Sequence, residues 1–277
     1  MRIDAHQHFW RRDRGDYDWL TPEMRPLWRD FLPDDLAPIL TNHAIVGTVL
    51  VQAAPTDAET EFMLSLARDH PLIRGVVGWT NLEAVDAPIR IAALASDPLL
   101  VGLRPMLQDL ADDDAILAPQ VQPALAAMAH HRLALDALIR PRHLSRLVIL
   151  RERHPSLRIV IDHAAKPDIA SGDLKNWSRD LRAVAADGVT HCKLSGLVTE
   201  AATDWCLDDL RPVVDIVLEA FGPERVMWGS DWPVLNLASD YDSWVEASHT
   251  LLADLDQEQQ ADVLGDSARR FYKLEEQ

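Results

Sequence analysis

Met1-Arg2-Ile3-Asp4-Ala5-His6-Gln7-His8 is a short apolar run that ends in two histidines two residues apart. Residues two apart on a strand point to the same face. If this run is the first strand of a closed sheet, both imidazoles look into one pocket at its exit. Near the other end stands Arg225-Val226-Met227-Trp228-Gly229-Ser230-Asp231-Trp232-Pro233. There a strand-like run delivers an aspartate at its C-terminal tip, and Pro233 stops the strand. A histidine pair on the first strand and an aspartate on a late one are what a hydrolytic site in a closed parallel barrel needs. His-x-His alone fits a turn equally well; Asp231 in register tips the reading toward function.

Between these ends, short apolar runs alternate with amphipathic stretches. The runs are 2–5, 45–52, 73–79, 100–104, 133–138, 158–162, 191–194 and 225–228. Stretches with apolar residues three and four apart occupy 59–69, 89–94, 123–130, 143–154, 180–186 and 211–220. Eight strands, each followed by a helix, describe an α/β fold, a (β/α)8 TIM barrel in a single domain over 1–277. The closing segment 257–272 reads as one or two helices packed under the barrel. Residues 9–33 form a long, aromatic connection with Trp10, Tyr17, Trp19 and Trp28. A loop of that length reads either as a lid or as a cover for the barrel rim, and tryptophan faces stack well on sugar rings.

Composition narrows the class of function. The formal net charge of −17 argues against nucleic acid, whose phosphates would be repelled. No run approaches the roughly 18 apolar residues of a membrane span, and no signal segment is evident. Two cysteines, Cys192 and Cys206, make no disulfide framework, so a reducing, cytoplasmic setting is expected. Oligomeric state is open, a homo-oligomer included. His70, His130, His131, His154 and His249 sit in polar contexts and read as surface histidines.

Barrel chemistry lies at the C-terminal strand ends. Those ends offer His6 and His8; Gln52; Trp79 and Asn81; Arg104 and Gln108; Asp136 and Arg140; His163 and Lys166; Lys193 and Ser195; and Asp231. Plain structural roles compete for several. Arg104 could pair with Asp136, Asp162 could orient His163 or cap a turn, and Cys192 belongs in the core. Ser195 lacks the G-x-S-x-G elbow of a nucleophile and reads as a turn serine. Asp231 is hardest to explain away, because a carboxylate between Trp228 and Trp232 carries a desolvation cost.

The chain resembles the amidohydrolase superfamily, in its amidohydrolase-2 branch of lactonases. The residues that carry this are Asp4-Ala5-His6-Gln7-His8-Phe9-Trp10, Tyr17-Asp18-Trp19-Leu20, Gly102-Leu103-Arg104, Asp162-His163-Ala164-Ala165-Lys166-Pro167, Lys193-Leu194-Ser195-Gly196 and Trp228-Gly229-Ser230-Asp231-Trp232-Pro233. The opening motif and the tryptophan-rich loop look most like the sugar-acid lactonases of the L-fuconolactonase and L-rhamnonolactonase kind. The resemblance implies that Asp231 activates water, that His6 and His8 are the first-strand pair, and that His163 is the sixth-strand histidine. The two-metal members of the superfamily use a lysine or glutamate on the fourth strand and a histidine on the fifth. Here Arg104 and Asp136 stand there, so at most one ion is expected. His6, His8 and Asp231 could hold one Zn²⁺, or the site could work without metal.

The expected reaction is hydrolysis of a small-molecule sugar lactone. Asp231 takes a proton from the attacking water, and His6, His8 and His163 stabilise the oxyanion. Arg104, Gln108 and Lys166 would orient hydroxyls or the carbonyl, while Trp10, Trp19, Trp79 and Trp232 would stack on the ring. A pyrone- or muconolactone-type hydrolase would need more arginines to clamp carboxylates. A metal-dependent decarboxylase and a non-catalytic sugar-binding barrel are the remaining alternatives.

Overall fold

The computed structural model describes residues 1–274. Eight parallel strands follow one another in chain order: β1 (Arg2–Gln7), β2 (Ile45–Val51), β3 (Ile73–Gly78), β4 (Leu100–Leu103), β5 (Ala134–Ala137), β6 (Arg158–Ile161), β7 (His191–Leu194) and β8 (Val226–Trp228). The barrel closes just beyond β8. Asp231 N–H donates to the His6 carbonyl at 2.8 Å and His8 N–H to the Trp232 carbonyl at 2.7 Å. The (β/α)8 barrel read from the sequence is therefore the architecture observed.

Eight helices line the outside: α1 (Pro33–Asn42), α2 (Asp57–Asp69), α3 (Ala87–Leu94), α4 (Gln122–His130), α5 (Leu144–Arg153), α6 (Lys175–Ala185), α7 (Leu207–Phe221) and α8 (Tyr241–Leu251). Each turns an apolar stripe inward, as in α7, where Leu210, Val213, Val214, Val217 and Phe221 are buried. Neither α1 nor α8 stands out by periodicity. Pro33 opens α1, where its missing N–H costs nothing, and Pro38 lies inside the helix. In α8 the start is set by Asp240, whose carboxylate accepts from Ser243 N–H.

The chain then runs through α9 (Gln257–Ala261), a π-helical turn (Asp262–Asp266) and α10 (Ser267–Tyr272) beneath the barrel. Gly265 in that turn lies so close to the start of β1 that a Cβ there would stand 1.9 Å from the Met1 carbonyl oxygen. Ile3, Val49, Val77, Val101, Val160 and Met227 fill the barrel interior with Phe271 and Tyr272 of α10. Among the described residues no helix is long and apolar enough to cross a membrane.

The aromatic connection packs on the rim at the C-terminal ends of the strands. Trp10 and Phe31 pair across its neck, each donating its N–H to the other's carbonyl at 3.0 Å. Tyr17 Oη donates to Glu59 Oε2 of α2 at 2.7 Å, and Trp19 Nε1 donates to the Ala53 carbonyl at 2.7 Å. Ala53 N–H in turn donates to Glu59 Oε1 at 3.0 Å. One buried carboxylate thus ties the loop, α2 and the end of β2 together.

Candidate active site

A seam carboxylate sets the geometry. Asp4 on β1 is fully buried and accepts from Ser230 N–H at 2.9 Å, Ser230 Oγ at 2.6 Å, Tyr241 Oη at 2.9 Å and His6 N–H at 3.1 Å. Burial still pushes its carboxyl up to about 6 against those bonds. The clamp on Ser230 holds the next residue, Asp231, in a left-handed conformation at φ +58°.

Three imidazoles face one oxygen of Asp231. His8 Nε2 lies 3.2 Å from Oδ1, His6 Nε2 3.6 Å and His163 Nε2 3.9 Å. His8 and His163 are 3% exposed and Asp231 4%, so water reaches the group only through the cleft above it. That cleft is lined by His8, Trp19, Arg104, Met106, Gln108, Lys166 and Asp231, among others. Burial drives the His163 pKa down to about 4 and that of His6 well below its usual value. The Asp231 carboxyl is pushed up by burial, but the facing His163, the His8 bond and His6 outweigh this and hold it below the usual carboxylate range.

His163 reaches its place through an unusual turn. His163, Ala164, Ala165 and Lys166 all have positive φ, between +50° and +60°. Left-handed turns cost an L-residue roughly 1–2 kcal/mol each, so the barrel must supply compensating contacts. Trp177 Nε1 donates to the Ala164 carbonyl at 2.7 Å, and Ser195 Oγ lies 2.9 Å from His163 Nδ1. Gly196 follows at φ +61°, where a Cβ would stand 2.6 Å from His163 Nδ1.

Under the imidazoles is a buried cluster of charges. Lys193 is fully buried, and its ammonium meets Asp136 Oδ2 at 2.6 Å, Asp162 Oδ1 at 3.1 Å and His6 Nδ1 at 3.1 Å. The ammonium donates to Asp136, and its charge lies within 3.1 Å of Asp162 and of the His6 ring. Tyr272 Oη donates to the same Asp136 oxygen at 2.6 Å. Arg104 Nη1 is 3.5 Å from Asp162 Oδ2 and 3.3 Å from His6 Nε2, and Nη2 donates to the Gln52 carbonyl. Burial works to raise the Asp162 carboxyl, but Lys193, His6 and Arg104 prevail and hold it well below its usual range. The Arg104–Asp136 pair considered from sequence is replaced: Arg104 pairs with Asp162, and Asp136 with Lys193.

The structure sorts the other residues singled out in the sequence. Trp19, Arg104, Gln108 and Lys166 line the cleft. Trp10 is fully buried, with Nε1 donating to the Arg29 carbonyl at 2.9 Å. Trp232 packs between Phe9 and Phe31. Trp79 lines a neighbouring apolar cavity with Leu82, Pro105 and Met106. These three tryptophans are not in the lining of the cleft that holds Asp231; Met106 stands in the wall of both cavities. Cys192 is buried and Cys206 exposed, both unpaired. Asp4, Tyr241 and Tyr272 had no role assigned from the sequence, because their partners lie in elements far away along the chain.

The donor set suits a divalent cation. Ligand atoms of His6, His163 and Asp231 all lie within 4.8 Å of one another. His8 has spent its Nδ1 proton on the Val51 carbonyl at 2.7 Å, a group that only accepts. Its Nε2 can therefore meet Asp231 Oδ1 only with a second proton or with a cation shared between them. Two imidazoles and a carboxylate are ligands that zinc and its neighbours accept.

The chain is similar to known proteins along its whole length. The amidohydrolase family model matches residues 3–274. A protein of Burkholderia ambifaria named L-fucono-1,5-lactonase is 46% identical over 99% of this chain and 96% of its own length. Another of that name from Burkholderia multivorans is 39% identical over 100% of this chain and 97% of its own. A crystal structure of a Burkholderia multivorans amidohydrolase with bound zinc superimposes with a TM-score of 0.93 at 37% identity, covering 99% of this chain and 100% of that one. From the buried Asp231 with its three imidazoles to these full-length matches, the chain belongs to the amidohydrolase family.

Proposed function

We propose that this protein hydrolyses a sugar-acid lactone of the L-fucono-1,5-lactone type to the open aldonic acid. The observation that carries the reading is the buried carboxyl group of Asp231 at the floor of the cleft, with three imidazole nitrogens within 3.9 Å of one oxygen. The names of the two full-length relatives support the substrate class.

Water above Asp231 loses its proton to the carboxylate as it attacks the lactone carbonyl. His6, His8, His163 and Arg104 face the oxyanion that develops. Asp231 then returns the proton to the ring oxygen as it leaves. A divalent cation on His6, His163 and Asp231, zinc being the best match to the donors, would polarise the carbonyl. Gln108 Oε1 is buried and lacks a hydrogen-bond partner among the described residues, so it can accept from a substrate hydroxyl. Trp19 supplies a flat apolar wall. An acyl-serine route is disfavoured: Ser195 touches His163 but is fully buried and does not line the cleft. The unpaired cysteines suit a reducing compartment such as the cytoplasm.

A pH-indicator assay on a panel of aldonolactones tests this, corrected for spontaneous ring opening and run before and after chelation. Acid release in excess of background, strongest with L-fucono-1,5-lactone, is expected, with no more than one metal ion per chain. No enzymatic acid release from any sugar lactone would remove the reading. Two tightly held ions would contradict the single-ion site.

A further inference from the structure

The cleft walls carry cations, and each is matched by a carboxylate of the same chain. Lys166 lines the cleft beside His163, and its Nζ lies 2.8 Å from Glu200 Oε1. The two side chains are 18% and 20% exposed, so they meet at the edge of the cavity and not out in solvent. Arg104 on the floor pairs with Asp162 at 3.5 Å. Arg140 on the outer rim faces Asp109 at 3.5 Å, and Asp109 itself lines the cleft. A carboxylate entering the cleft therefore meets no cation that lacks its own counter-ion among these three. The net charge of −17 adds no field to draw an anion in.

We infer that Glu200 is a specificity-determining residue: by neutralising Lys166 it makes the cleft select neutral lactones over carboxylated ones. The inference rests on the lactonase reading for its substrates. Its physical content is separate. With Glu200 uncharged, Lys166 becomes a free ammonium at the edge of the cavity, available to a substrate or ligand carboxylate. With Glu200 charged, that carboxylate must compete with one already held 2.8 Å away. Lys166 itself can still offer a proton to a neutral hydroxyl, because an ammonium has three and Glu200 takes one.

The test uses a matched pair: an aldono-lactone, and the aldaro-lactone in which the terminal carbinol is a carboxylate. In the wild-type protein the neutral member should be the better substrate by kcat/KM. Glu200→Gln should raise kcat/KM for the aldaro-lactone roughly tenfold, the size of one partly screened charge contact, and change the aldono-lactone less. Adding Lys166→Met to Glu200→Gln should abolish the gain. A binding arm runs in parallel, with the dianion galactarate titrated by calorimetry. Glu200→Gln should bind it roughly tenfold more tightly, and the double variant should not. An unchanged preference and unchanged galactarate affinity in Glu200→Gln would overturn the inference, as would a gain that survives loss of Lys166. If no lactone turns over in any variant but the galactarate gain appears, the lactonase reading fails and the charge gate stands.

Discussion

Asp231 is an acidic side chain whose burial should make it reluctant to ionise, and the three rings around it reverse that. Asp231→Asn keeps the volume and removes the proton acceptor. It should leave the melting temperature within a few degrees and cut kcat by about 10²–10⁴-fold, the usual cost of losing a general base. Activity near wild type would end its assignment as the base. This residue was legible in the sequence, because a carboxylate at the tip of an apolar strand has few bland explanations. Asp4 was not. It stands in the quoted opening motif, but its four hydrogen bonds come from β1 itself, the β8 end and α8, and only the closed barrel brings these together. Trp10 and Trp232 are buried away from the lining of the cleft: aromatic residues near a site are as useful for holding its walls as for touching a ligand, and type alone does not separate the two uses.

Elements were legible where period and caps agreed. All eight strands coincide with the apolar runs, with ends moved by a residue or two; β1 continues to Gln7 because its register with β2 extends that far. The turn that carries His163 was illegible. Asp162-His163-Ala164-Ala165-Lys166 has the composition of an ordinary right-handed turn, yet four consecutive residues are left-handed. Packing imposes that hand, through contacts from Trp177 and Ser195 distant in sequence. Elsewhere the same conformation has no such duty. Ala44 is exposed at φ +53° just after α1. Ala44→Gly should raise stability by up to about 1 kcal/mol, since glycine takes the left-handed position without the Cβ penalty. Chemical denaturation with unchanged m-value checks this, and a destabilised variant would show that Ala44 holds contacts the geometry does not suggest.

At the scale of the whole molecule, pH reports how the rim loop is anchored. Glu59 is buried, and that burial pushes its carboxyl up to about 7 against the bonds from Tyr17 and Ala53 and the charge of Arg14. Its folded pKa thus exceeds the unfolded value of about 4.5. The stability it contributes is complete below pH 4.5 and fades as pH rises to about 7, above which the fold carries a buried charge. Glu59→Gln cannot ionise. Relative to wild type it should gain about 2.5 kcal/mol between pH 5 and pH 8, whatever its fixed cost in hydrogen bonding. Parallel pH–stability curves for the two proteins would contradict a raised Glu59. The barrel as a whole was readable because alternation of strands and helices is local. The charged cluster at its heart was not, because Lys193, Asp136, Asp162 and Tyr272 become neighbours only on closure.

Tyr272 gives that closure a direction in time. Its hydroxyl donates to Oδ2 of Asp136, a residue 136 positions earlier in the chain. The ribosome releases Asp136 before Tyr272, so the cluster can gain this donor only when the end of the chain has been made. The last helix is in this sense the stopper of the vessel.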